Sequence, residues 1–132
     1  MAQSQNSSVD LTLPATCLMG LTSQGNVMLG NKAFEFYNER NPEDYIQIPW
    51  TEIDYVAAEV LRGTKKIPRF VIFTKDGNKF TFSTRENKKT LRCMGTYIGE
   101  DKLLRSPDVL EVVGAGVKSI PHALGGLFHK DK

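Results

Sequence analysis

Two histidines, His122 and His129, are the only side chains of the 132-residue sequence whose ordinary titration falls near neutral pH. Acid/base work or phosphoryl acceptance would be sought there first. His122 follows Pro121 in a polar stretch with no nucleophile or acid beside it, so it reads as a loop residue. Cys17 and Cys93 stand singly in apolar segments, without CxxC or Cys/His spacing, which predicts reduced core thiols and no zinc site. Glu52 and Asp54 sit two apart on a strand-like run and so share a face. Strand carboxylates among basic neighbours more often form surface ion pairs than acid/base pairs. Gly114-Ala115-Gly116 lies inside a helical pattern and lacks the GxGxxG or GKS context of a phosphate loop. The residues therefore predict no catalytic set, no cofactor and no metal.

Charge is the second chemical signal. Lys and Arg outnumber Asp and Glu by only 17 to 15 overall, but the distribution is uneven. Residues 1–58 carry 2 basic against 7 acidic side chains, residues 59–105 carry 12 against 5, and residues 106–132 carry 3 against 3. Arg62, Lys65, Lys66, Arg69, Lys75, Lys79, Arg85, Lys88, Lys89 and Arg92 make the middle basic. Such a run attracts an anionic partner: nucleic acid, a phosphate-bearing protein or the inner face of a membrane. The plain alternative is a solvated surface offset by the acidic first half. Nucleic-acid binding is disfavoured, because Phe70, Phe80 and Phe82 alternate as core residues do, leaving Tyr37, Tyr45 and Trp50 as candidate stacking rings. The pI near 8.5 also lies below the range above about 9 that marks a nucleic-acid footprint.

These side chains need a scaffold, and hydropathy alternation supplies most of it. Two apolar runs in residues 11–31 are divided by Ser23-Gln24-Gly25-Asn26, a turn composition that predicts a hairpin there. Gly30-Asn31-Lys32 predicts the next turn, and Phe34 and Phe36 then alternate with Glu35 and Tyr37. After a loop at 39–44, Ile46 and Ile48 are followed across Pro49-Trp50 by Ile53 and Tyr55, which predicts two strands with a bend at Trp50. Phe70 and Ile72 share one face and Val71 and Phe73 the other, as in a central strand. Asp76-Gly77 is a hairpin turn pair, leading to inward Phe80 and Phe82. Ser83 with Glu86 has the form of a capping box, ahead of Leu91, Met94 and Ile98 at helical spacing. Ser106-Pro107-Asp108 predicts a second helix bearing Val109, Val112, Val113, Val117 and Ile120.

The expected class is α+β and mainly antiparallel β: a bent sheet or small barrel with C-terminal helices. The expected division is a flexible start at 1–10, one domain over 11–120 and a tail at 121–132. No apolar run is long enough to cross a membrane, and the first residues lack a signal peptide's basic and apolar regions, which predicts a cytosolic protein.

The order of GNVMLGNKAFEFYNE, IQIPWTEIDYVAAEV, RFVIFTKDGNKFTFST and the helix through LRCMGTYI resembles the pleckstrin-homology superfold in its GRAM-like version. That resemblance implies Ile46, Ile48, Ile53 and Val56 as core positions, with Trp50 a buried anchor at the bend. More closely, KAFEFYNERN, DYIQIPW and IPRFVIFT resemble the ManO-like family, short proteins encoded with mannose-class sugar phosphotransferase systems; the resemblance covers about residues 9–120. It implies a non-catalytic cytosolic regulator, peripheral at the inner face of the membrane, that docks on the integral-membrane subunits of a mannose-type transporter. The residues expected to meet that partner are Arg62, Lys65, Lys66, Arg85, Lys88, Lys89 and Arg92, together with Leu124, Leu127 and Phe128. A homo-oligomer fits the same picture, since strand edges pair readily. The alternative is a module that binds anionic lipid headgroups without a protein partner.

Overall fold

The computed structural model describes residues 3–19, 21–41, 43–61, 65–106 and the backbone of 122–123. Strands β1 (Val9–Cys17), β2 (Ser23–Gly30), β3 (Ala33–Asn38) and β4 (Tyr45–Pro49) form an antiparallel meander. A 3-10 turn at Trp50–Glu52 leads into β5 (Ile53–Glu59), β6 (Arg69–Thr74) and β7 (Lys79–Thr84), after which helix α1 runs Asn87–Ile98. A second 3-10 turn precedes β8 (Leu103–Ser106), and β9 (His122–Ala123) adds a last short rung. The sheet order is β4-β3-β2-β1-β7-β6-β5-β8-β9, antiparallel at every junction except β5 with β8.

This sheet cannot be flat. β3 and β6 stand four places apart in the order, which would separate them by roughly 19 Å in a plane. Yet Phe34 of β3 meets Phe70 of β6 edge-on, with ring centroids 6.4 Å apart, and lies 4.9 Å from Phe82 of β7. The alternating apolar face of each strand can be buried only if the sheet folds over on itself, and the aromatic rings fill the inside of that fold. Leu13, Val27, Leu29, Ile48, Ile53, Val56 and Ile72 complete the interior, and Leu91 and Met94 of α1 cover one opening. The architecture is the bent antiparallel sheet that the alternation predicts, with one helix closing it.

Trp50 stands at the bend, 8% exposed, and its indole Nε1 donates to the Gly30 carbonyl at 2.9 Å. Its ring stacks flat on Tyr97 of α1, 4.9 Å between centroids and 3° between planes. The corner expected from Pro49-Trp50 is thus an anchor joining β2, the bend and the helix.

Several local expectations are corrected. Ser23–Asn26 is not a turn but the first half of β2; the connection is 18–22 instead. Gly25 pairs with both Ala15 and Asn38, and a Cβ there would lie 2.0 Å from the Tyr37 carbonyl oxygen. Its glycine permits close strand approach, not a reversal. Tyr55 does not share a face with Ile53, because the register shifts between them, and Tyr55 stacks outside on Phe73 at 4.5 Å. The Ser83–Glu86 capping box does not form. Ser83 lies in β7 with its hydroxyl donating to the Pro68 carbonyl, and Glu86 at the N-cap makes no side-chain cap bond. The start expected to be flexible is bonded to the sheet from Gln3 onward and enters β1 at Val9. Strand β8, parallel to β5, answers to no expectation from the sequence. The predicted second helix over residues 107–120 lies outside the described residues, whereas His122, expected in a loop, pairs through its backbone with Arg105.

Candidate functional site

Strand β7 ends at Thr84 and α1 begins at Asn87, so the chain turns sharply where the β5–β6 connection comes back to the sheet. Asn87 fixes that corner. Its Oδ1 accepts from the Thr84 backbone N–H at 2.7 Å and the Thr84 hydroxyl at 3.1 Å, while its Nδ2 donates to the Ile67 carbonyl at 2.6 Å. Thr90, fully buried, donates through its hydroxyl to the Glu86 carbonyl at 2.9 Å, and the same oxygen lies 2.9 Å from the Thr84 hydroxyl. These bonds hold the β5–β6 connection beside the first turn of the helix.

Between the two segments lies an open groove of about 500 Å³, lined by Lys65, Lys66, Ile67, Glu86, Asn87 and Lys88. Three lysines face one acid around it. The first turn of α1 carries no acidic residue and no side-chain cap bond, so the partial positive charge of the helix start adds to the lysines, offset in part by the Glu86 carboxylate at the N-cap. The lining is thus net basic, with Ile67, 7% exposed, as its apolar member.

Of the seven cations named from the sequence, the fold gathers Lys65, Lys66 and Lys88. Arg85 is exposed just ahead of the helix, with its backbone N–H bound to the Pro14 carbonyl at 3.0 Å, and does not line the groove. Lys89 and Arg92 are exposed on α1, outside the groove lining. Arg62, Leu124, Leu127 and Phe128 lie outside the described residues. Arg69 is drawn to Glu59 on the outer face of the sheet, 2.7 Å away, as an ion pair not aligned as a hydrogen bond. Asn87 and Ile67 were missed by sequence reading. The only signal for Asn87 was a cap-type residue a few positions before the apolar helix stripe.

Other groups with chemical character are structural. Cys17 is buried in β1 and Cys93 half-buried on α1, both free, and burial pushes both thiols up, away from the reactive thiolate. Tyr97 donates to the Asp10 carboxylate, a bond that with desolvation pushes its phenol up to about 12. Of the three rings considered for stacking bases, Trp50 is buried, and Tyr37 stacks on Tyr45, 6.0 Å between centroids.

Among solved structures, the chain is similar to the C-terminal domain of an unknown protein from Leishmania infantum. The TM-score is 0.60 at 8% identity, with 69% of this chain and 84% of that one covered. It is also similar to the Vps36 N-terminal PH domain, with a TM-score of 0.50 at 14% identity, covering 70% and 77% respectively. Identities this low speak to the fold alone, which is pleckstrin-homology-like. Among curated proteins, none matches. A family model matches residues 1–117, nearly the whole described fold, and the chain belongs to that family, described as a domain of unknown function, DUF956.

Proposed function

We propose that this chain is a non-catalytic docking module that acts at the inner face of the membrane, binding the membrane subunits of a mannose-type sugar phosphotransferase transporter and modulating uptake. The single observation that supports the reading is the groove that Lys65, Lys66 and Lys88 line beside the start of α1. An anionic protein surface or the membrane beside it would meet three cations and a helix dipole on one rigid corner. The ManO-like resemblance of KAFEFYNERN, DYIQIPW and IPRFVIFT points to which membrane protein that is. Among the described residues no helix is long and apolar enough to cross a membrane, which agrees with a peripheral role.

The test is sedimentation of the full chain with vesicles holding the transporter's membrane subunits and with matched anionic vesicles lacking them. Transporter-dependent, salt-sensitive binding is expected, and it should be lost when Lys65, Lys66 and Lys88 are each changed to Glu. Cations near an anionic surface contribute roughly 1 kcal/mol each, so the triple reversal should weaken binding far more than tenfold. Equal binding to transporter-free vesicles would replace this reading with the lipid-headgroup one. Undiminished binding by the triple variant would move the contact away from the groove.

A further inference from the structure

Glu35 is the only carboxylate with no exposure at all among the described residues, yet it points to the outer face of β3, opposite Phe34 and Phe36. Its cover is the beginning of the chain itself. Ser4 Oγ donates to Oε1 and the Gln5 N–H to Oε2, both at 2.6 Å, and Asn6 Nδ2 adds a bond to Oε1 at 3.2 Å. Among the described residues no cation is bonded to it. A carboxylate taken out of water must be met by donors or by an opposite charge, and here three neutral donors from residues 4–6 join the Tyr37 hydroxyl of the same strand in meeting it.

The rest of the segment is held in the same way. Asn6 Oδ1 accepts from the Lys32 and Ala33 N–H groups at 2.8 Å each, and its Nδ2 reaches the Ala33 carbonyl at 3.1 Å. Asn31 Oδ1 accepts from the Ser7 and Ser8 N–H groups at 3.0 and 3.1 Å. Gln47 of β4 donates to the Gln3 carbonyl at 2.7 Å and accepts from Gln5 Nε2 at 3.2 Å. A Cβ on Gly30 would lie 2.2 Å from the Ser8 carbonyl oxygen, so the glycine makes room for the segment.

We infer that the outer face of β3–β4 is a peptide-binding site, occupied in cis by residues 3–8, and that it accepts the same polar segment of a second copy in trans. The partners are 23 to 44 residues apart in sequence, so nothing in the contacts requires one chain. Residues 3–8, Gln-Ser-Gln-Asn-Ser-Ser, include no apolar anchor, so hydrogen bonds alone hold them, and such bonds give specificity with modest net energy. The register between β1 and β2 shifts between Val9 and Leu11, so the regular ladder is interrupted where the segment joins β1. With a short tether the effective concentration is of millimolar order, and a segment closed nine-tenths of the time then corresponds to a trans Kd of about 0.1 mM.

The experiment uses the full chain, a labelled peptide Gln-Ser-Gln-Asn-Ser-Ser-Val, and the Asn6→Ala variant, which removes bonds from the segment and leaves the receptor face intact. Asn6→Ala should speed amide exchange at Lys32 and Ala33 and strengthen peptide binding over the wild type, each by several-fold and up to about tenfold, the ceiling set by a segment closed nine-tenths of the time. Adding Glu35→Gln to that variant should cost most of the peptide binding. Unchanged exchange in Asn6→Ala would overturn the releasable segment. Faster exchange without peptide uptake, or uptake indifferent to Glu35→Gln, would overturn the site. Because residues 3–8 contribute nothing to the aromatic core, a far-UV and near-UV spectrum identical to wild type is expected for every variant.

Discussion

The two ends of α1 are built on opposite terms. At its C-terminal end Met94 is buried in the aromatic core and Tyr97 lies flat on Trp50, with its hydroxyl bound to Asp10 at the start of β1. At its N-terminal end the helix makes no side-chain cap bond and is edged by three lysines and the N-cap Glu86 around an open groove. The C-terminal end contributes packing, and the N-terminal end adds field to its hydrogen-bonded Asn87–Thr90 corner. Stability and recognition are therefore separable along a helix of 12 residues, and substitutions can be chosen to act on one without the other.

The deepest break in this division is expected from Trp50→Ala. The change removes the stack on Tyr97, the bond to the Gly30 carbonyl and a large part of the corner's apolar volume. Large aromatic truncations in cores cost about 3–5 kcal/mol, and urea denaturation should show a loss of that size. A loss below about 1 kcal/mol would mean that the corner is held by something other than the indole.

Asn87→Ala comes next, because this residue belongs to both ends of the comparison. It lies in the groove wall yet bonds to Thr84 and to Ile67. Leaving the Thr84 N–H and the Ile67 carbonyl unmet should cost about 1–3 kcal/mol in the same denaturation experiment. Groove binding should fall with it, since the β5–β6 connection loses its tie to the helix. If stability drops while binding holds, the lysines act through charge alone and need no fixed corner.

The pH dependence tests the packed end more gently. The Tyr97 phenol is held neutral by its bond to Asp10, with a folded pKa of about 12 against about 10 for an unfolded tyrosine. Below pH 10 the phenol is neutral in both states and its contribution to stability is complete. Between about 10 and 12 the unfolded chain alone releases the proton, so stability falls as pH rises through that window. Burial also raises the Tyr37 and Tyr55 phenols, so a tyrosinate absorbance titration should show a broad rise with a late component at about 12, and Tyr97→Phe should remove that component. A titration curve unaltered by Tyr97→Phe except for one ordinary phenol would contradict the bond.

How legible all this was depended on whether a position answers to its neighbours in sequence or to a strand far away. The β3, β4, β6 and β7 strands follow from plain alternation of Phe34, Phe36, Ile46, Ile48, Phe70, Ile72, Phe80 and Phe82, and Asp76-Gly77 names its own turn, with Gly77 at φ +92°. Gly25 reads as a turn residue in isolation, and only the Tyr37 carbonyl of the paired strand makes it a strand residue. Ser83 was free to cap a helix until the Pro68 carbonyl claimed its hydroxyl. Tyr55 changed faces because one irregularity in β5 breaks the period. Glu35 looked like an ordinary solvent-facing member of an alternating strand, and its burial depends on residues 30 positions away. The groove was half visible in the same way: the basic run was evident, while the choice of Lys65, Lys66 and Lys88 over Arg85, Lys89 and Arg92 belongs to the corner that Asn87 ties.

The smallest effect on stability, and the sharpest on the comparison, is expected from charge reversal. Exposed ion pairs contribute about 0–1 kcal/mol, so Lys89→Glu with Arg92→Glu should move the denaturation midpoint little. Lys65→Glu with Lys66→Glu should do the same. The two pairs change net charge equally, so any long-range attraction to an anionic surface falls alike in both. What differs is place: the first pair sits on the outward side of α1, the second in the groove wall beside the helix start. A membrane partner read by a seated anion distinguishes them, with the groove pair losing several-fold more affinity than the helix pair at one salt concentration. Equal losses would reduce the N-terminal end of α1 from a site to a patch of diffuse positive charge, and the division between a packed end and a recognising end would survive only in its first half.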